Sequence, residues 1–252
     1  MFETEAFVLM TRDFGESDRL VTFYGSMGGK ITGMAKGARR SRRRFVHAFE
    51  LGSLVTLSYR ERRDRVFLEA CKLVDPHLAL RADILRWGYA GLLSEVVLKL
   101  TPEGEPQRGL FELMKEAFAR LGVDKDPLNV VLIFLLRFMH LMGYLPALTG
   151  CSVCGLPWDK GRMWWWWMEE GKLFCVDHRV ALGDPLRLDA GVLALIRQIR
   201  EASSDRMWRL RFTRPKKILV LRKVLEWIQG YSRDRLRSVR VIEQIHAHFL
   251  IQ

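Results

Sequence analysis

The hydrophobic period of this chain changes once, at Asp75-Pro76, and that change limits the folds open to it. Ahead of it, apolar and β-branched residues come in short runs: Glu5–Met10, Leu20–Tyr24, Lys30–Ala35, Leu54–Tyr59 and Val66–Ala70. Turn clusters separate them, with Asp13–Asp18 first, then Gly25, Gly28 and Gly29, then the charged Arg60–Arg65 stretch. Short strands bounded by Gly, Asp and Ser read as hairpins. Five of them in so short a stretch fit a small barrel, of either the oligonucleotide-binding (OB) or the SH3-like kind. Behind Pro76 the apolar residues recur at helical spacing. Leu80, Ile84, Trp87, Leu92 and Val96 mark one helix, and Leu110–Leu121 a second, stopped by Gly122. Asp126-Pro127 opens a third, running to Met142, because Asp caps a helix and Pro suits its first position. That helix is apolar on nearly every side from Leu128 to Met139, which places it centrally in the packing. Gly143 and Pro146 end it, and helical spacing returns over Asp189–Ala202, Pro215–Gly230 and Val239–Phe249. The expected class is α+β and multi-module: an N-terminal barrel, a helical domain and an embedded metal module.

The metal module is read from spacing. Cys151-x2-Cys154 is followed after twenty residues by Cys175-x2-His178. Zn²⁺ takes four tetrahedral N or S ligands, and ligands two residues apart reach one ion from a tight turn. Gly150, Gly155 and Gly171 supply turns for such a knuckle and for a returning hairpin. A disulfide is disfavoured in a cytoplasmic protein, and a redox Cys-x-x-Cys needs a βαβ context that is absent. Four protein ligands leave no open position for water, so the expected Zn²⁺ is structural rather than catalytic. Cys71 stands alone on a strand and is expected to be buried. The run Trp164–Trp167 lies inside the module, where some rings pack over the metal site and others lie exposed or against the helices; base stacking is a further use open to them.

Charge bounds the partners. The 252 residues carry 41 Lys plus Arg against 29 Asp plus Glu, a net +12. Residues 1–80 hold 14 basic and 10 acidic side chains, residues 81–178 hold 11 and 12, and residues 179–252 hold 16 and 7. The middle is therefore neutral, and the modest N-terminal sum hides a dense cluster: Lys36, Arg39, Arg40, Arg42, Arg43 and Arg44. Two basic regions favour a polyanionic ligand. The longest apolar run, Val130–Leu136, is too short to span a bilayer and stops at Arg137. The first residues are acidic where a secretory signal would be basic. A cytoplasmic location is expected, with no membrane partner.

Nothing in the chain resembles a phosphate loop or a Gly-x-Ser-x-Gly elbow. Asp13, Glu16 and Asp18 form a possible metal-nuclease trio, but turn residues pairing with Arg12 and Arg19 explain them better. His140 reads as a core histidine, and His246 and His248 have no partner pattern. A binding protein is expected, not an enzyme, and no small-molecule substrate.

The order of several stretches resembles the RecO family of bacterial recombination mediators over almost the full length. These are Thr11–Arg19, Gly29-Lys30-Ile31, Ala35–Arg40, Pro76-His77, Glu105-Pro106 and the Cys151/Cys154/Cys175/His178 set. Arg42-Arg43-Arg44 departs from the usual continuation and makes the loop more basic; the four-Trp run is also unusual. The resemblance implies an OB fold over 1–78, a helical domain over 79–149 and 179–252, and a zinc-binding module over 150–178. It implies single- and double-stranded DNA as ligands, annealing of strands coated by single-strand binding protein, RecA loading with RecR, and a nucleoid-associated location. Candidate DNA contacts are Lys30, Lys36, Arg39, Arg40 and Arg42–Arg44, with Arg214, Lys216, Lys217, Arg222 and Lys223 on a later helix. They would contact phosphates without reading bases. Phe14, Phe23 and Tyr24 are candidate base-stacking rings, although core positions suit them better. Arg137 is the candidate cation for the acidic, Phe-ended tail of single-strand binding protein. A zinc-stabilised RNA-binding or protein-interaction scaffold remains the alternative.

Overall fold

The computed structural model describes residues 1–145, 148–159, 161–179, 185–232 and 235–250, the last with side chains to residue 244. Pro146 and the side chains of His246 and His248 lie outside the described residues. The chain divides into two compact units, residues 1–127 with 234–252, and residues 128–233.

The first unit begins with a closed five-stranded barrel. Its strands are β1 (Phe2–Phe14), β2 (Asp18–Gly25), β3 (Gly29–Ala35), β4 (Leu54–Arg62) and β5 (Arg65–Asp75). Their order around the barrel is β1-β2-β3-β5-β4, and β1 closes the ring on β4. All neighbours are antiparallel except β3 and β5, which pair parallel through Gly33–Val66 and Met34–Phe67. This OB-like order decides between the two barrels the sequence left open. The alternation in β3 is strict, with Ile31 and Ala35 inward. Val8, Val21, Phe23, Val55, Leu57 and Leu68 complete the barrel core. Phe23 and Tyr24 are both buried, so the core reading holds for them, whereas Phe14 stands 52% exposed.

Helices α1 (Leu78–Arg81), α2 (Ile84–Leu100) and α3 (Leu110–Val123) follow. The single helix expected over Leu78–Leu100 is broken at Asp83, whose carboxylate accepts from the backbone N–H groups of Leu85 and Arg86 and so starts α2 afresh. Arg86 closes the far end of α3, donating to the carbonyls of Leu121 and Asp124. Two stretches that carried the family resemblance meet here. A Cβ on Gly29 would lie 2.4 Å from the Glu105 carbonyl oxygen, and its φ of 61° is one that side chains disfavour. The Lys30 carbonyl then accepts from Gly104 N at 2.8 Å. Gly29-Lys30 and Glu105-Pro106 are one contact seen from both sides.

The last helix of this unit, α8 (Arg237–Leu250), is preceded by Leu236, which offers no capping oxygen. Glu95 of α2 supplies the cap instead. Its carboxylate accepts from Arg237 N at 2.9 Å, Ser238 N at 2.8 Å and Ser238 Oγ at 2.6 Å, and pairs with Lys99 at 3.5 Å.

The second unit is organised around α4 (Pro127–Leu141), buried from Val130 to Leu136 and again at Phe138 and Met139, as its all-round apolar pattern requires. Within it the fully buried Asn129 is satisfied by Leu210 O and Phe212 N, which ties the 208–212 segment to the helix. A three-stranded sheet follows, made of β6 (Trp164–Trp167), β7 (Lys172–Phe174) and β8 (Leu186–Leu188), in the order β7-β6-β8. Then come α5 (Ala190–Glu201), α6 (Ser204–Met207) and α7 (Arg214–Tyr231), α5 capped by the Asp189 carboxylate, which accepts from Val192 N. Among the described residues, no helix is long and apolar enough to cross a membrane.

The Glu95 cap has a sign. Burial raises its pKa, but the Ser238 hydroxyl, the Ser238 and Arg237 N–H groups and Lys99 outweigh that and hold it below its ordinary 4.5. A depressed carboxylate stabilises above its unfolded value, and the contribution is lost as pH falls through the folded one. Glu95→Ala is expected to cost about 1–2 kcal/mol at neutral pH. Hydrogen exchange of α8 amides should then quicken in the variant at pH 7, and the gap to the unaltered protein should close below pH 4.5.

Candidate nucleic-acid interface and metal centre

The basic cluster occupies the connection from β3 to β4. A short 3-10 turn, Ala38–Arg40, starts it, and Lys36, Arg39, Arg40, Arg42, Arg43 and Arg44 are all exposed. The segment is nevertheless fastened. Ala38, Phe45, Ala48 and Phe49 are buried in the barrel core, with the Phe45 and Phe49 rings 5.2 Å apart. The Asp18 carboxylate accepts from Gly37 N at 2.8 Å and from Ser17 Oγ at 2.9 Å, and Arg39 N donates to Ser17 O. The Gly37 N–H, then the Ser17 hydroxyl and the charge of Lys36, keep Asp18 below the usual carboxylate range against a smaller desolvation effect. Asp13 pairs with Arg19 at 3.2 Å and Arg39 at 3.7 Å. Two members of the acidic trio are thus loop anchors, as turn residues should be. At the other end Arg44 Nη2 donates to Lys36 O at 2.8 Å, and its guanidinium lies 4.9 Å from the Phe45 ring centre.

This loop faces a second basic element, one outside the candidate contacts expected from sequence. The β4–β5 hairpin turns at Arg63 and Asp64, both with positive φ, the two-residue turn whose twist matches its strands. It presents Arg60, Arg62, Arg63 and Arg65, all exposed. A cleft of about 130 Å³ is lined by Lys36 and Arg44 from the loop, Arg60 and Arg62 from the hairpin, and Met34, Phe67, Leu68 and Glu69. Lys36 Nζ stands 5.2 Å from the Phe67 ring centre, and Arg60 pairs with Glu69 at 2.7 Å. A larger groove of about 650 Å³ adjoins it, with Phe14, Leu20, Met34, Val66 and Phe67 as apolar wall, Arg65 and Lys30 as its two cations, and the carboxylates of Glu61, Asp64 and Glu103 beside them. An apolar wall beside cations suits bases and phosphates together. The four arginines of the Arg60–Arg65 stretch were visible in sequence as a charged turn; only the β3–β5 pairing puts them beside Lys36.

The remaining candidate cations are placed differently. Lys30 Nζ donates to the carbonyls of Leu98 at 2.9 Å and Thr101, closing the end of α2. On α7, Arg214 and Arg222 are exposed, Lys217 is buried, Lys216 pairs with Asp189 at 2.7 Å and Lys223 with Glu226 at 3.0 Å. Arg137 Nη1 donates to the carbonyls of Ile199, at 3.0 Å, and Arg200 at the end of α5. Burial lowers the Arg137 pKa, and burial with the charges of Arg137 and Arg200 lowers that of half-buried His140.

The Cys/His residues converge. The donor atoms of Cys151, Cys154, Cys175 and His178 all lie within 4.8 Å of one another, and these four could hold a metal ion. Cys154 Sγ is 4.0 Å from Cys175 Sγ, which is 3.3 Å from His178 Nδ1. Ligands about 2.3 Å from a tetrahedral ion stand roughly 3.8 Å apart, so the set is at coordination spacing. Two turns make it. Gly155 N donates to Cys151 O and Cys151 N to Leu156 O in the first, and His178 N to Cys175 O in the second. Gly150 is required at the first, since a Cβ there would lie 2.4 Å from Leu156 O. Burial pushes the Cys151 thiol up, but the N–H groups of Cys154, Cys175 and Val153 more than offset this and bring it down to about 6. A thiol so disposed is ready to ligate as thiolate. Cys71, by contrast, is buried on β5 and burial pushes its thiol up to about 12.

Comparison with known proteins places the geometry in context. Residues 1–77 match the family model "Recombination protein O N terminal" and residues 81–240 match "Recombination protein O C terminal". The chain is 49% identical over 244 residues to a DNA repair protein RecO of Syntrophobacter fumaroxidans (strain DSM 10017 / MPOB), covering 97% of this chain and 98% of the relative. It is 31% identical to that of Syntrophus aciditrophicus (strain SB), over 96% and 95% of the two chains. For that of Anaeromyxobacter sp. (strain K) the identity is 33% over 77% of each.

The metal centre is open to a direct check. Titrating the metal-free full chain with Co²⁺ should give tetrahedral thiolate-ligated absorption saturating at one equivalent, displaced by Zn²⁺, and Cys175→Ser should abolish it. A weak octahedral spectrum would remove the assignment.

Proposed function

The chain belongs to the RecO family of DNA repair proteins, and on that premise we propose that it is a DNA-binding recombination mediator. In this reading it anneals complementary single strands and, with RecR, helps load RecA onto strands coated by single-strand binding protein. It acts by binding, without covalent chemistry. The observation that carries the reading is the fastened basic loop. Lys36, Arg39, Arg40 and Arg42–Arg44 stand exposed on a segment whose Phe45 and Phe49 are in the barrel core. Such cations neutralise phosphates of any sequence. Two strands brought onto one basic surface repel each other less, and that favours annealing of arbitrary complements.

Arg60, Arg62, Arg63 and Arg65 extend this surface in our proposal, and Arg214 and Arg222 are the α7 cations best exposed for a second contact. Lys30, Lys216, Lys217 and Lys223 contribute field more than direct contact, since each is buried or engaged. Zn²⁺ held by Cys151, Cys154, Cys175 and His178 would stabilise a module too small for its own core. The modules of this reading are 1–78, 79–149 with 179–252, and 150–178. For the acidic tail of single-strand binding protein the proposed cation is Arg137, held on the carbonyls of Ile199 and Arg200 at the end of α5; a cavity of about 540 Å³ at that helix end is lined by Gln198, Glu201, Ser203, Arg206 and Leu210. The Arg137 guanidinium is fixed on α5 and does not swing free.

Two measurements test this function. Replacing Arg39, Arg40, Arg42, Arg43 and Arg44 together by Ala should weaken single-strand binding and flatten the dependence of log K on log salt by about 0.7 per phosphate contact removed. An unchanged slope would sink the loop assignment. Complementary strands precoated with the cognate single-strand binding protein should anneal faster with the protein than without it, and at least several-fold more slowly with the five-fold variant. Equal rates with and without the unaltered protein would reject the mediator reading.

A further inference from the structure

The four consecutive tryptophans form strand β6, and a strand sends alternate side chains to opposite faces. Trp164 and Trp166 are 0% and 1% exposed. They share the inner face of the sheet with Leu173, Leu186 and Leu188, the residues that register against them and are themselves buried. The other two rings, Trp165 and Trp167, turn outward and are only partly covered. Packing explains the inner pair. It does not call for the largest apolar side chain at both outer positions, where a Thr or Lys would complete the strand equally well.

The neighbours of the outer pair are of one chemical kind. Phe174, itself buried, registers opposite Trp165 on the same face and lies 6.4 Å, ring centre to ring centre, from Trp167. Arg187 registers opposite Trp165 from β8 and is exposed. The exposed Arg179 holds its guanidinium 5.9 Å from the Trp165 ring centre. Lys172, opposite Trp167, is occupied by Glu170 at 2.6 Å. Two partly exposed indoles beside a buried phenylalanine, flanked by two arginines, form a small apolar patch with a positive rim.

We propose that the outer face of this sheet is a base-stacking site for single-stranded nucleic acid, with Trp165 and Trp167 as the platform and Arg179 and Arg187 as the phosphate contacts. The ligand is fixed by chemistry: the open parts of aromatic rings take any unpaired base, and the rim charge suits a polyanion. Duplex DNA, whose bases are already stacked, gains nothing from such rings. The inference rests on the sheet alone and not on the barrel surface, though both would serve one single-strand-binding protein.

The test uses the metal-loaded full chain, a fluorescent twenty-nucleotide oligo(dT), and a duplex of equal length. For the unaltered protein, oligo(dT) should quench tryptophan emission and duplex should not. Trp165→Leu with Trp167→Leu should remove most of that quenching and weaken oligo(dT) binding at least about fivefold, the lower end for loss of one stacked base. Duplex affinity should stay within about twofold. Trp165→Phe with Trp167→Phe should restore most of the single-strand affinity, and Arg187→Glu, an exposed change that leaves the sheet core alone, should lower it. The Arg39–Arg44 alanine variant, run alongside, should lose affinity for both polymers but keep the quenching at saturation. If the Leu double variant and Arg187→Glu both bind oligo(dT) like the unaltered protein, or lose single-strand and duplex binding equally, the platform is overturned while the barrel reading stands. If the unaltered protein binds neither polymer, both fall.

Discussion

Closure of the barrel is the constraint from which the exposed basic surface follows. β1 pairs with both β2 and β4, and β3 pairs with β5 rather than with its successor β4. The chain leaving Ala35 must therefore travel before it can rejoin the sheet at Leu54, and a connection of that length has to bury something to stay ordered. It buries Ala38, Phe45, Ala48 and Phe49 in the barrel core. Small and aromatic residues inside leave the intervening arginines outside. The Asp18 carboxylate on Gly37 N fixes where the loop departs, and Cys71 N on Arg44 O fixes where it passes β5. Dense like charge would normally disorder a loop. Here the barrel core and one depressed carboxylate hold it against that repulsion, and the parallel β3–β5 pair sets the arginines of the next hairpin beside it.

The same physics accounts for where the remaining charge goes. Lys30, Arg86 and Arg137 each place their cation on the carbonyls at the end of a helix, α2, α3 and α5 in turn. Those carbonyls lack intrahelical donors and carry the negative end of the helix dipole, so a cation there satisfies both needs. Glu95 does the converse at the start of α8. Each of these side chains comes from outside the helix it caps, so together they fasten helices within each unit. The net +12 is thus partly structural, and the β3–β4 loop and the β4–β5 hairpin carry dense clusters of the exposed remainder.

Most of the fold was legible in the sequence because its signals are local. Period-two runs between glycine turns gave five strands, and the apolar circumference of residues 128–139 gave a central helix. The Cys-x2-Cys and Cys-x2-His spacings gave a ligand set whose donors converge within 4.8 Å. What escaped depended on tertiary partners. Leu186–Leu188 is too short to show a period, and it becomes a strand only by pairing with the tryptophans. Asp83 looks like any acidic residue until its carboxylate caps α2 in mid-run. Lys30 and Lys217 read as candidate DNA contacts, because nothing in a sequence says that a carbonyl seventy residues away will take up an ammonium, or that a helix will turn one inward. The arginines of the Arg60–Arg65 stretch were seen as a turn and not as a surface for the same reason: their closeness to Lys36 exists only after the barrel closes.

The central claim is that the loop and hairpin on the closed barrel meet the phosphates. Hydrogen–deuterium exchange of the full chain, with and without saturating single-stranded DNA, tests it most directly. The account predicts slowed exchange over residues 36–49 and 60–67 on DNA addition, with α2 and α3 unchanged. Binding that leaves both segments at their free rates would contradict it.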